Sequence, residues 1–300
     1  MDYALILPAK RHGANPEAIL ATTLTAERLG WRTVISDDHI LVPSEGGGSY
    51  ETIFEVITML AWLGGQTSRI RLGTSIIVVP QRNAVITAKE LATVDALTGG
   101  RVTAGVGLGW NRGEYRNLGV EDRFAVRGAY LDETIVLWRH LWSGSAAPFE
   151  GRFHQIHDSV MSPLPPQGAA LPIIVGGRSD HGVRRAGRLG DGYHLSQNGP
   201  AGMLARLPVL RDAAAAAGRP VPPISARVQL YFGDPPPGHT AAAIHGTPEE
   251  IRRTIDEWDA LGLDELAIDI DETDADLAVR KLERLHEEVL ADRVTSRVLD

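Results

Sequence analysis

The stretch RVTAGVGLGW, residues 101–110, decides how the chain is read. It begins as a β-strand and then places glycine at 105, 107 and 109. Glycine weakens a strand interior, so three at alternate positions mean that something requires bare backbone there. Upstream, IRLGTSIIVV (70–79) reads as another buried strand, and residues 84–97 between the two read as a helix. Strand, helix and strand in that order form a parallel crossover unit.

The same alternation runs outward in both directions. Strands are expected at 3–8, 32–36, 70–79, 101–106, 172–177, 192–196, 224–232 and 265–270. Helices are expected at 16–29, 52–64, 84–97, 123–142, 179–189, 200–217, 248–260 and 274–291. The strands are near-continuous apolar runs, as in a parallel sheet buried on both faces. About eight such units in 300 residues give an α/β chain folded as a (β/α)8 barrel of the TIM type. A doubly wound sheet usually has fewer units. One domain is expected over 1–300, with insertions after strands 4 and 7. Within 143–171 a short hairpin is expected around Gly151, followed by an extended proline-rich stretch.

The bulk numbers narrow the function. The chain has no cysteine, which removes disulfides, thiolate metal sites and a cysteine nucleophile together. The net charge is −8 and no basic stripe with interleaved aromatics occurs, so nucleic acid is not an expected partner. The start, MDYALILPAK, has an acid at position 2 and no long apolar core. It does not read as a signal peptide, and no apolar run is long enough for a bilayer, so a cytoplasmic protein without a membrane partner is expected.

In such a barrel, chemistry gathers at the C-terminal strand ends and the loops that follow. Asp38 and His39 follow strand 2, where a histidine could exchange a proton while a carboxylate holds its tautomer; a surface loop pair is the plainer reading. VGGRSDHGVRRAG (175–187) ends a strand on Gly176 and Gly177 and starts a helix near Ser179. Bare N–H groups at a helix N-terminus attract phosphate, and Arg178 or Arg184 could add charge; a tight turn with Ser179 as cap is the alternative. It is not a Walker loop. GVGLGW lacks the third glycine of a dinucleotide fingerprint. Lys10 ends strand 1, where a Schiff-base lysine could sit, although an exposed loop lysine is commoner. His154 and His157 match no zinc spacing. DIDETDAD (269–276) lacks the glycine of a calcium loop and reads as acidic residues at a helix start.

Taken together, residues 70–120, SDDHI (36–40), PLPPQGAALPIIVGGRS (163–179) and GRLGDGY (187–193) resemble the bacterial luciferase-like monooxygenase superfamily, in particular its deazaflavin (coenzyme F-420)-dependent branch. The resemblance covers nearly the whole chain and implies a TIM barrel that binds F-420 or, in the alternative, FMN. It implies a ring across the barrel mouth, packed against backbone at Gly107 and Gly109. It implies a non-prolyl cis peptide at Ser75-Ile76 backing that ring, and a phosphate loop at Gly176, Gly177, Arg178 and Ser179. Asp38 and His39 match the pair that lies beside ring and substrate. In the family's sugar-phosphate dehydrogenases a glutamate acts as an acid at the place of Trp110, so that activity does not carry over. Trp110 is instead expected to wall a substrate pocket, with Glu114 facing either that pocket or solvent. The implied reaction is hydride transfer between F-420 and a small organic substrate. The alternative is an FMN-dependent two-component monooxygenase that takes reduced flavin from a separate reductase and uses O2. A non-catalytic barrel and a phosphate-binding aldolase or isomerase are further readings. Family habit implies a homodimer through helices beside strands 2 to 4. Substrate choice is expected to lie in the loops at 40–51, 107–122 and 232–247, the last a candidate lid.

Overall fold

A computed structural model describes residues 1–44, 48–50, 52–196, 198–238 and 242–294. Eight parallel strands are β1 (Asp2–Ile6), β2 (Thr33–Ser36), β3 (Arg71–Thr74), β4 (Val102–Gly107), β5 (Ile173–Gly176), β6 (Gly192–Ser196), β7 (Ile224–Phe232) and β8 (Glu265–Asp269). Each pairs with the next, and β8 pairs with β1 through Asp2↔Glu265 to Ile6↔Asp269, so the barrel closes. The helices between them are α1 (Pro16–Arg28), α2 (Val56–Gly64), α3 (Ala84–Thr98), α4 (Arg123–Trp142), α5 (Asp180–Leu189), α6 (Pro200–Ala216), α7 (Pro248–Ala260) and α8 (Ala275–Leu285).

Local chemistry sets the helix starts. Asn15 caps α1 with Pro16 at its first position, Asn83 caps α3, and Thr247 with Glu250 forms a capping box on α7. The second helix starts at Val56 rather than at 52, because the Glu55 carboxylate accepts from the Ile57 and Thr58 N–H groups. The last helix stops at Leu285 and continues as a π turn over His286–Leu290, short of the continuous helix expected to 291. The main core fills the layer between barrel and helices. Inside the barrel a small second cluster joins Ala4, Ile6, Ile35 and Ala267.

Both insertions form. The connection after β4 carries a short helix, Arg112–Asn117, ahead of α4; after α4 come the hairpin strands Phe149–Glu150 and Gln155–Ile156. After β7, Ala243–Gly246 runs parallel to Gln229–Phe232 and extends the sheet, so part of the expected lid is a strand; residues 239–241 lie outside the described residues. Three strand readings are corrected. IRLGTSIIVV is not one strand, because β3 ends at Thr74, the Ser75-Ile76 peptide is cis, and pairing resumes at Ile77–Val78 against Val106–Gly107. β1 covers 2–6 rather than 3–8. β7 is not uniformly apolar, since Ser225, Arg227 and Gln229 alternate with the buried Ile224, Ala226, Val228 and Leu230.

Candidate active site

A cavity of about 600 Å³ opens among the C-terminal strand ends. Asp38, His39, Ser75, Ile76, Gly107, Gly109, Trp110, Gly176, Gly177, Arg178 and Ser179 all line it. Residues from four strand ends thus converge where a barrel places chemistry.

The glycines of GVGLGW have a protein partner. A Cβ on Gly105 would lie 1.8 Å from the Thr74 carbonyl oxygen. One on Gly107 would lie 2.4 Å from Ile76 Cδ1, and one on Gly109, at φ +65°, 2.6 Å from Val78 Cγ1. Alternate residues of the segment 74–78 therefore occupy the space that alternate side chains at 105–109 would fill. The Ile76 side chain also lies 2.7 Å from where a Gly176 Cβ would be. The bare backbone is required by this internal packing, whatever else the cavity holds.

His39 is buried on the cavity wall, and its Nδ1 lies 2.8 Å from Glu114 Oε2. The adjacent Asp38 does not hold the ring. Its carboxylate instead accepts from the Val78 N–H at 2.9 Å and from Arg82 Nη2 at 2.6 Å. Glu114 is the carboxylate that sequence reading left between pocket and solvent, and it faces neither. It is fully buried, does not line the cavity, and accepts from the Ile40 N–H at 2.6 Å and Gln81 Nε2 at 3.1 Å as well. The short helix Arg112–Asn117, capped by Asn111, carries it inward. Burial pushes its carboxyl up, but the hydrogen bonds from His39 and the Ile40 N–H outweigh that and the net direction is down. Tyr50 packs on the His39 ring at 4.2 Å, and Trp110, 57% exposed, stands edge-on at 6.1 Å.

A second part of the cavity wall was not legible as a site. Arg227 reaches Asp37 at 2.5 Å and Asp269 at 2.9 Å, and Lys10 Nζ donates to Asp37 at 2.6 Å. Lys10 is thus a buried ion-pair partner, neither an exposed loop lysine nor a free amine. Asp269 belongs to this network, while Asp274 of the same acidic run caps α8. Burial pushes the Asp37 carboxyl up, but the Arg227 and Lys10 charges overcome this and hold it well below the carboxylate range. His194 sits between Ser75 Oγ at 2.9 Å and Ser225 Oγ at 2.8 Å. Burial, then the Arg227 charge, lowers its imidazole to about 4, so it is neutral near pH 7. The available signal was polar residues at alternate positions inside otherwise apolar strands: Ser225, Arg227 and Gln229 in β7.

Gly176 to Ser179 lead into α5, which Ser179 caps through the Gly182 N–H at 3.4 Å. Arg206 of α6 braces the loop by donating to the Arg178 carbonyl at 2.6 Å. Both sequence readings of this loop are compatible with that geometry, since the cap and the cavity lining coexist. Away from the cavity, His154 Nε2 lies 2.9 Å from Thr134 Oγ1 and His157 is exposed beside Glu150.

The profile of the luciferase-like monooxygenase family matches residues 1–236. The chain belongs to that family. An uncharacterised Mycobacterium tuberculosis relative is 33% identical over 181 residues, which is 56% of this chain and 61% of that one. The chain thus spans about three fifths of that relative's length. An F420-dependent glucose-6-phosphate dehydrogenase of Segniliparus rotundus is 31% identical over 232 residues, 74% of this chain and 67% of the other. Among solved structures, an F420-dependent secondary alcohol dehydrogenase superposes with a TM-score of 0.81 at 17% identity, covering 96% of this chain and 98% of that one. An FMN-bound type II Baeyer–Villiger monooxygenase of Pseudomonas putida gives 0.78 at 16%, covering 96% and 97%. These two share the barrel fold with this chain; the first is F420-dependent and the second is in complex with FMN. No helix among the described residues is long and apolar enough to cross a membrane.

Proposed function

We propose that this chain is an oxidoreductase that transfers a hydride between coenzyme F-420 and a small organic molecule held in the barrel-mouth cavity. The observation that carries the reading is His39 on the cavity wall with Glu114 buried behind its Nδ1. A carboxylate on one ring nitrogen directs the other, Nε2, to proton exchange and stabilises the imidazolium that forms.

The residues present fit a bound deazaflavin. The cavity volume lies in the range of cofactor sites. Gly107, Gly176 and Gly177 line the cavity, and the loop from Gly176 to Ser179 meets the N-terminus of a ten-residue helix. When bound, the deazaflavin supplies the two-electron hydride chemistry. The chain's own work is then positional. Gly176, Gly177, Arg178 and Ser179 hold the phosphate, while Ser75 and Ile76 floor the cavity beside Gly107 and Gly109. Asp38 fixes the strand-3 segment through Val78 and Arg82. His39 moves the proton that accompanies the hydride, and Tyr50 and Trp110 wall the substrate and exclude water. The Segniliparus relative and the Asp38-His39 and Ser75-Ile76 matches support the deazaflavin over FMN. The FMN-bound fold neighbour favours the second reading, a two-component monooxygenase with a separate reductase. The expected homodimer through helices beside strands 2 to 4 is supported by the exposure of Trp62 on α2 and of Ile86 and Leu97 on α3.

The test is equilibrium binding of F-420 and of FMN to the purified protein, followed by fluorescence quenching. F-420 is expected to bind, to be lost in Gly177→Asp, and to be retained in His39→Ala, with folding of both variants checked by melting. Preference for FMN moves the assignment to the monooxygenase, and binding of neither overturns the cofactor reading.

A further inference from the structure

The cavity has a second hydrogen-bonding station that the proton chemistry of His39 does not use. Ser75, on the cavity wall at the head of the cis peptide, meets His194 Nε2; His194 Nδ1 meets Ser225 Oγ. The register fixes this arrangement, because His194 of β6 pairs directly with Ser225 of β7 and with Gly176 of β5. His194 and Ser225 lie in β6 and β7, and Ser75 lies in the break that follows β3. The charged groups facing His194 are Arg227 and Asp37, already committed to each other.

A neutral imidazole carries one N–H and one lone pair, and a hydroxyl carries one hydrogen. The chain therefore has two complete states. In the first, Ser225 donates to Nδ1, Nε2–H donates to Ser75 Oγ, and the Ser75 hydrogen points to the cavity. In the second, Nδ1–H donates to Ser225, Ser75 donates to Nε2, and Ser75 offers only lone pairs to the cavity. The hydrogen count is the same in both: Nε2 passes its proton to Ser75, which releases its own hydrogen to water in the cavity, while Nδ1 takes the Ser225 hydrogen and Ser225 takes one back from water.

We propose that Ser75, His194 and Ser225 form a tautomer relay that lets one wall position serve as donor to the oxidised and acceptor to the reduced form of a bound redox heterocycle. Such a ring gains an N–H where it previously offered a lone pair. A fixed donor would favour one redox form and oppose turnover. The relay removes that bias without a charge change. His194 and Ser225 are positioning residues in this scheme, and it rests on the reading that the cavity binds a flavin or deazaflavin.

The test is ¹⁵N NMR of histidine-labelled protein saturated with oxidised and then with reduced F-420, or with FMN if that is what binds. The His194 signals are assigned by their loss in His194→Gln. The protonated nitrogen is expected to be Nε2 in the oxidised complex and Nδ1 in the reduced one. The same tautomer in both overturns the relay while leaving the cofactor reading intact, and binding of neither ring overturns both. Ser225→Ala gives an independent reading. It orphans the Nδ1–H of the second state, and a buried orphan donor is rarer than an orphan acceptor. It is expected to weaken binding of the reduced form about tenfold relative to the oxidised form, and an equal effect on both counts against the relay.

Discussion

His39 Nδ1 and Glu114 Oε2 lie 2.8 Å apart although 75 residues separate them in sequence. The short helix after β4 brings the carboxylate behind a histidine that follows β2. Glu114→Gln keeps acceptors for the Ile40 and Leu41 N–H groups but removes the anion facing the ring. It is expected to lower kcat about a hundredfold with KM little changed. Glu114→Asp should recover part of the loss, and the kcat pH profile should change shape; a uniform loss from misfolding would leave that shape alone.

The buried pair of Arg227 and Asp37 makes a different demand. Arg227→Met leaves Asp37 with Lys10 alone and is expected to cost about 3–5 kcal/mol in urea denaturation at pH 7. The native Asp37 carboxyl is depressed, so its contribution is present above the unfolded value of about 4 and is lost as pH falls through the lower folded value. Without Arg227 the burial contribution gains weight and the carboxyl protonates at higher pH. The deficit of the variant should therefore shrink as the medium is taken from pH 7 towards about 4.

The glycine contacts can be tested without any ligand. Gly105→Ala drives a methyl against a backbone oxygen and is expected to destabilise by about 3 kcal/mol. Gly107→Ala meets the end of the Ile76 side chain, which can be shortened. The double variant with Ile76→Ala should be more stable than additivity allows, by about 1 kcal/mol or more in a mutant cycle.

Trp110 offers the opposite case. It is 57% exposed, so Trp110→Ala should change stability by no more than about 0.5 kcal/mol. As a cavity wall it should raise KM for an F-420-linked substrate about tenfold, with F-420 affinity unchanged.

The barrel was legible because its strands and helices keep two different periods, and α4 and α7 match their expected bounds of 123–142 and 248–260. The break at Ser75-Ile76 was not legible from pattern, since apolar residues continue across it; the family resemblance alone carried it. Adjacency in sequence pairs Asp38 with His39. The folded chain sends the Asp38 side chain to Val78 and Arg82 and recruits the partner carboxylate from a helix whose position depends on the whole β4 connection. Arg227 and His194 were hidden in strand runs that looked like core. Their partners, Asp37 and Ser75, lie in other repeats, and hydrophobic periodicity says nothing about which polar groups meet inside a closed barrel.

The fit of Gly105, Gly107 and Gly109 against Thr74, Ile76 and Val78 also limits how this chain can change through descent. Thr74 and Gly105 are 31 residues apart, yet each limits what the other can be, as do the two pairs beyond them. A side chain gained on one strand must be answered by volume lost on the other. The 107/76 pair can do this in two steps through a shortened isoleucine. The 105/74 pair cannot, because the obstacle is a carbonyl oxygen that every amino acid carries. Position 105 is therefore closed to variation in any descendant that keeps the course of strand 3, whatever substrate it comes to use.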